Sequence, residues 1–291
     1  MATRNSYVRF DDSVAVRVIP EWILDNKKDF IPPVCNKCMF SDQLKVFFVG
    51  GPNSRKDYHL EEGEEFFYQR DGDMVLKVIE KGIMKDIVIR EGEIFLLPSR
   101  IEHSPQRFSN TVGFVVERTR DNTEFDCVRY FAGHSTVRLY ERWLHLVDVV
   151  KDLPPLIKQF HESNEYKTDT PGENSFKITA PFEPRYIDLD KPINIKSFIL
   201  SHSAQLMTGP IQIYGAPKYD TEVMLLGKGT YDMHSGKVEL LLWIQPDSFC
   251  VLMTGGTTYP MQSETIACLK PGTDSVLEII RGHVVSIRMV H

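Results

Sequence analysis

The stretch GGPNSRKDYHLEEGEEFFYQRDGD (50–73), followed by GEIFLLPSRIEHSPQRF (92–108), decides how this chain is read. Side chains alternate across a strand, so Asp57 and His59 face the same side. Glu61-Glu62-Gly63 can bend the chain between two strands and bring Glu65 toward His59. His103 follows a run ending in Pro98 and arrives from a neighbouring strand. Two imidazoles and one carboxylate, with other coordination positions open, form the ligand set of non-haem Fe(II) oxygenases. Taken singly, a strand histidine is more often a hydrogen-bonded structural residue, and an acidic run is more often a solvated loop. The combination at these spacings is what carries the metal reading.

Outward from this stretch the first half is a series of strand-length apolar runs. They are LKVFFVGG (44–51), EEFFYQ (64–69), DMVLKVIE (73–80), KDIVIREG (85–92), EIFLLP (93–98) and VGFVVER (112–118). Val, Ile and Phe concentrate in them, Gly, Asp and Pro punctuate them, and Glu80-Lys81-Gly82 reads as a hairpin turn. This predicts a compact antiparallel β-domain of barrel or jelly-roll type. From 139 the spacing of Leu139, Trp143, Leu146 and Val150, then Leu156, Ile157 and Phe160, predicts two short helices divided by Pro154 and Pro155. The stretch 167–186, rich in Pro, Thr, Gly and charge, reads as a linker. Strand-like runs then return at 211–215, 221–227, 237–244, 248–256, 264–272 and 275–282. The expected organisation is mainly β, two jelly-roll domains with a few short helices: 1–166 with a helical tail, the linker, and 187–291.

Hydrophobic residues make up 42% and charged residues 25% of the 291, an ordinary globular composition. A net charge of −6 without basic blocks argues against nucleic-acid binding. The first thirty residues lack the apolar core of a signal peptide, and no run is long enough to span a bilayer. Five scattered cysteines fit a reducing compartment, so the expected location is cytoplasmic. Cys35 and Cys38 form one Cys-x-x-Cys after Pro32-Pro33, with no second pair to complete a metal site. A metal role for them is not expected.

The motifs resemble those of the cupin superfamily, G-x5-H-x-H-x3,4-E-x6-G and G-x5-P-x-G-x2-H-x3-N. Gly51, His59, Gly72, Gly92, Pro98 and His103 match, and Glu65 matches with one residue inserted. Asp57 stands for the first histidine, Arg100 for a glycine and Arg107 for the asparagine. Within the superfamily the chain resembles the 3-hydroxyanthranilate 3,4-dioxygenase family, through PPVCNK (32–37), GGPNSRKDYH (50–59), EEFFYQ (64–69), GEIFLLP (92–98), HSPQRF (103–108) and VVER (115–118). The likeness is dense over 20–165 and thinner beyond, and it matches the longer, two-domain form.

That resemblance implies an Fe(II) enzyme that opens a small aromatic substrate with O2. The product would be 2-amino-3-carboxymuconate semialdehyde, the precursor of quinolinate in NAD synthesis. It implies His59, Glu65 and His103 as iron ligands and Arg107 as the two-pronged partner of the substrate carboxylate. Glu117 would hydrogen-bond the polar edge of the ring and accept a proton, with Glu65 also facing the substrate. Arg55 would sit beside the dioxygen position, with Asn36 a further pocket residue. The plainer alternative for Arg107 and Glu117 is a structural ion pair between adjoining strands. Asp57 is read either as a fourth ligand or, in the favoured reading, as a carboxylate behind the ligands that orients an arginine or histidine. Arg100 is expected at the surface or a rim.

Internal alignment places Leu241 at the position of Glu65 and Ser275 at that of His103, with His234 near the first ligand. The second domain is therefore expected to be metal-free, and the protein a monomer. The rival readings are a zinc-dependent cupin isomerase and a non-enzymatic bicupin.

Overall fold

A computed structural model describes residues 8–9, 13–30, 35–53 and 55–290. Pro32 and Pro33, ahead of the cysteine pair, lie outside the described residues. Two compact units emerge: Lys28–Ser41 with Lys45–Ile195, and Met1–Lys27 with Asp42–Leu44 and Lys196–His291.

In the first unit two antiparallel sheets of six strands enclose the core. One runs in the order Arg138–Leu144, Asp126–Phe131, Tyr58–Leu60, His103–Arg107, Met74–Glu80, Ile83–Ile89. The other runs Ile193–Asn194, Glu93–Leu97, Glu65–Asp71, Val112–Arg118, Leu44–Gly50, Asn36–Ser41. Alternate residues of both, among them Phe67, Leu76, Val78, Ile89, Phe95, Val115 and Val128, meet in one cluster. Burying each such side chain stabilises the fold by about 1.5–3 kcal/mol. Lys81 and Gly82, at φ 52° and 76°, make the tight two-residue turn expected between Met74–Glu80 and Ile83–Ile89.

The second unit repeats this strand order. Glu93–Leu97, Glu65–Asp71, Val112–Arg118, Leu44–Gly50 and Asn36–Ser41 have as counterparts Thr265–Leu269, Leu240–Ile244, Val284–Arg288, Glu222–Leu226 and Ile211–Tyr214. Tyr58–Leu60, His103–Arg107, Met74–Glu80 and Ile83–Ile89 correspond to Gly229–His234, Asp274–Arg281, Phe249–Thr254 and Thr257–Gln262. The mainly β, double jelly-roll architecture is thus what the chain adopts.

Three expectations change. The stretch 138–144 is a strand, paired with Asp126–Phe131, rather than a helix. Its Leu, Tyr and Trp suit either element, and sheet pairing plus burial of Leu139, Tyr140 and Glu141 decides it. Val149–Glu162 is one helix with Pro154 and Pro155 inside it. Two backbone donors are lost in its middle, and burial of Val149, Leu153, Ile157 and Phe160 along one face offsets this. The division of the chain also runs differently from 1–166, 167–186 and 187–291. Val14–Val18 pairs with Thr265–Leu269 in the second unit. The stretch 167–186 is packed on the first, where Phe182 lies against Leu60, Cys127 and Trp143.

Candidate metal centre and substrate pocket

His59 and His103 are direct cross-strand partners, so their rings project together into the barrel, with centroids 5.3 Å apart. Glu65 opens its strand in the facing sheet, reached by the short bend at Glu61–Glu64. The ligand atoms of His59, Glu65 and His103 lie within 4.8 Å of one another, and all three residues are buried. Glu65 Oε1 is 2.8 Å from His103 Nε2 and 3.9 Å from His59 Nδ1.

The ring nitrogens are sorted by what stands behind them. His103 Nδ1 lies 2.9 Å from the Ile101 carbonyl, which only accepts, so Nε2 is left as the lone-pair nitrogen facing Glu65. Burial lowers the His103 pKa and favours its neutral, ligating form. His59 Nε2 is 2.8 Å from Asp126 Oδ1, leaving Nδ1 toward the cluster.

Sequence reading missed the group that organises this wall. Arg120 Nη1 donates to Glu117 Oε1 at 2.5 Å; its Nη2 reaches Glu61 Oε2 at 2.5 Å and Asp126 Oδ1 at 3.0 Å. Burial would lower the Arg120 pKa, but Glu117, Glu61 and Asp126 outweigh it and hold the guanidinium charged. Burial raises Glu61 well above the ordinary carboxyl range, against the pull of Arg120. Two further clusters, His59 with Glu61 and Asp126, and Glu61 with Glu65 and Glu117, are also close enough to hold an ion. Arg120 already supplies a cation to both, whereas His59, Glu65 and His103 have none. The only trace of this in sequence was Arg120 three residues after Glu117, and Asp126 gave no trace.

Asn36, Arg55, His59, Glu65, His103, Arg107 and Glu117 line one pocket, joined by Phe47, Val49, Phe67, Val115, Val149 and Leu153. Every residue anticipated for the site is therefore brought together. Arg55 forms a two-pronged pair with Asp57, Nε to Oδ1 at 3.2 Å and Nη2 to Oδ2 at 2.5 Å. Asp57, fully buried, thus orients an arginine as expected. Burial pushes its carboxyl up, but Arg55 more than reverses this and holds it below the ordinary value. Arg107 and Glu117 do not pair: Glu117 is held by Arg120, and Arg107 has no carboxylate partner among the described residues. Burial brings Arg107 down to about 10, against the smaller raising effect of Glu65 and Cys35 nearby. The Asn36 side-chain oxygen is buried without a hydrogen-bond partner.

Arg100 occupies the left-handed region, φ 59°, which explains why the cupin pattern has glycine there. Its guanidinium pairs with Glu62 at 2.8 Å at a half-exposed rim. Cys35 and Cys38 are free thiols; burial pushes Cys38 up to about 12, and neither joins a metal-ligand cluster among the described residues.

Strand pairing fixes the counterparts in the second unit. Glu65 pairs with Leu97, and Leu240 pairs with Leu269. The bends that follow Leu97 and Leu269 also match: Arg100 and Gly272, both left-handed, donate their amides to the Glu61 and Gly236 carbonyls. Ser275 thus stands at the place of His103; His103 pairs with His59, and Ser275 with Met233. The ligand positions therefore hold Met233, Leu240 and Ser275; Ser275 stands where the alignment put it, and Leu241 was out of register by one residue. Leu240 is buried in that unit's core, with Met233 packed against it, and Ser275 is buried as well. His234 is exposed and hydrogen-bonded to Asp274.

A double jelly roll with a buried cluster of two histidines and one glutamate inside one barrel defines a cupin-type fold with a candidate metal site. Among solved structures, salicylate 1,2-dioxygenase from Pseudaminobacter salicylatoxidans superposes with a TM-score of 0.60 at 10% identity, covering 96% of this chain and 86% of that one. The likeness is one of fold. Residues 12–161 match the family described as 3-hydroxyanthranilic acid dioxygenase. The 3-hydroxyanthranilate 3,4-dioxygenase of Caenorhabditis elegans is 62% identical, over 93% of this chain and 96% of its own length. The human protein of that name is 42% identical, over 90% and 92%. This chain belongs to the 3-hydroxyanthranilic acid dioxygenase family.

Proposed function

We propose that this chain opens the ring of 3-hydroxyanthranilate with dioxygen, giving 2-amino-3-carboxymuconate semialdehyde, at an Fe(II) held by His59, Glu65 and His103. The observation that carries this is one buried pocket joining an uncompensated donor cluster to Arg107, Arg55 and Glu117. The donors fit the ion: two imidazoles with their outer nitrogens engaged elsewhere, and a carboxylate between them. When bound, Fe(II) supplies open coordination positions and one-electron chemistry toward dioxygen.

The rest is performed by side chains. Arg107 binds the ring carboxylate, for which the described residues offer no paired competitor. Glu117, oriented by Arg120, accepts the phenolic proton at a carboxylate oxygen. Arg55, braced by Asp57, presents fixed positive charge to the dioxygen side. Phe47, Val49, Phe67, Val115, Val149 and Leu153 flank the ring and exclude water. Asn36 offers its unpartnered oxygen to a substrate donor.

Oxygen uptake on adding 3-hydroxyanthranilate to anaerobically purified protein, followed with semialdehyde absorbance, tests the reading. Iron in the purified protein and uptake matched to product support it; zinc, or no uptake, overturns it. The same proposal places a monomer in the cytoplasm. No helix among the described residues is long and apolar enough to cross a membrane.

A further inference from the structure

Among arginines with buried side chains in the first unit, Arg107 stands apart. Arg55 pairs with Asp57, Arg118 with Glu124, Arg120 with Glu61, Glu117 and Asp126, and Arg129 with Glu102 and Glu141. The acceptor behind Arg107 is instead a neutral amide. Its Nη1 donates to Gln69 Oε1 at 3.0 Å, and Gln69 is fully buried. Gln69 Nε2 donates to the Asp71 carbonyl at 3.2 Å, which turns the amide oxygen toward the guanidinium.

The surroundings preserve that geometry. Arg107 N donates to Asn53 Oδ1 at 2.9 Å, and Asn53 Nδ2 donates to the Pro105 carbonyl at 2.8 Å, so the backbone is pinned as well. Gly113 leaves the space required: a Cβ there would come within 2.7 Å of Gln69 Oε1 and 3.1 Å of Arg107 Nη1. A carboxylate in place of the Gln69 amide would satisfy Arg107 internally. An amide fixes the fork while leaving its charge for a ligand.

We infer that Gln69 is a positioning residue that sets the preference for an aromatic substrate bearing an anionic ring substituent, by orienting Arg107 without neutralising it. The inference rests on reading Arg107 as the carboxylate-binding residue. Gln69 acts through Arg107 from behind the pocket wall.

The test is anaerobic equilibrium dialysis of the iron-loaded protein with two ligands, 3-hydroxyanthranilate and 2-aminophenol, which lacks the carboxylate. Gln69→Glu should raise the dissociation constant for 3-hydroxyanthranilate roughly 100-fold, because an internal ion pair replaces the charge-assisted bond to the ligand. Binding of 2-aminophenol and iron content should stay within about twofold of wild type, as they do not use Arg107. Gln69→Met, which removes the acceptor without adding charge, should weaken 3-hydroxyanthranilate about tenfold with the same selectivity; it decides the matter if Gln69→Glu does not fold. Equal loss for both ligands, or no loss for either, overturns the inference. Wild-type protein that fails to bind 3-hydroxyanthranilate at all would instead remove the functional reading beneath it.

Discussion

At the scale of single residues, the site is governed by which charges are compensated and which are not. Arg107 lacks an anionic partner, so Arg107→Ala should raise KM about 100-fold while iron content is unchanged. Steady-state kinetics beside metal analysis would show it, and loss of iron would mean Arg107 is structural. Asp126 fixes which nitrogen of His59 faces the cluster. Asp126→Ala should therefore lower metal affinity by about 10–100-fold in chelator competition. An unchanged affinity would show that His59 is held by its strand alone. His59, Glu65 and His103 were legible in the sequence as distinctive ligands at a recognisable spacing, whereas Arg55, Arg107 and Glu117 came only through the resemblance to the family. Arg120, Asp126 and Gln69 were not, since their meaning lies in contacts with other strands.

At the scale of elements, Arg129 ties the strand Asp126–Phe131 to its neighbours, its Nε donating to Glu141 at 2.9 Å and its Nη1 pairing with Glu102. The side chain is wholly buried. Removing it strands two carboxylates away from water, so Arg129→Met should cost about 3–5 kcal/mol in denaturant unfolding. A neutral result would mean water or rearrangement satisfies both. The strand rhythm from 44 to 118 could be read directly, because alternation and turn residues are local signals. The segment 138–144 could not: its apolar spacing fits a helix, and only pairing with Asp126–Phe131 makes it a strand. The helix Val149–Glu162 shows the same conflict in reverse, with buried apolar contacts outweighing two prolines.

At the scale of the whole molecule, one architecture is used twice with different contents. Met233, Leu240 and Ser275 at the ligand positions predict one iron per chain at saturation, read by metal analysis; two would contradict the register. The second unit also buries Glu239, whose Oε2 accepts from the Leu44 backbone at 2.7 Å. Burial raises its pKa above the ordinary 4.5, against the lowering effect of that bond. The folded state thus binds this proton more tightly than the unfolded chain. Its contribution is fully present below pH 4.5 and is lost as pH rises through the folded value. Glu239→Gln keeps an acceptor and removes the titration, so the decline of thermal stability from pH 4.5 upward should flatten. An unaltered pH dependence would place the titration elsewhere.

The sequence by itself determined the β-architecture, its duplication and the donor set, because strand alternation, turn chemistry and ligand spacing are written over short distances. Tertiary structure alone decided how those donors are supported: Asp126 behind His59, Arg120 across three carboxylates and Gln69 behind Arg107. It also decided that Val14–Val18 completes the second unit and that Met233 and Leu240 stand at two of its ligand positions. These are pairings between residues far apart in the chain, fixed by sheet register and by the cost of leaving a buried charge or donor unpaired.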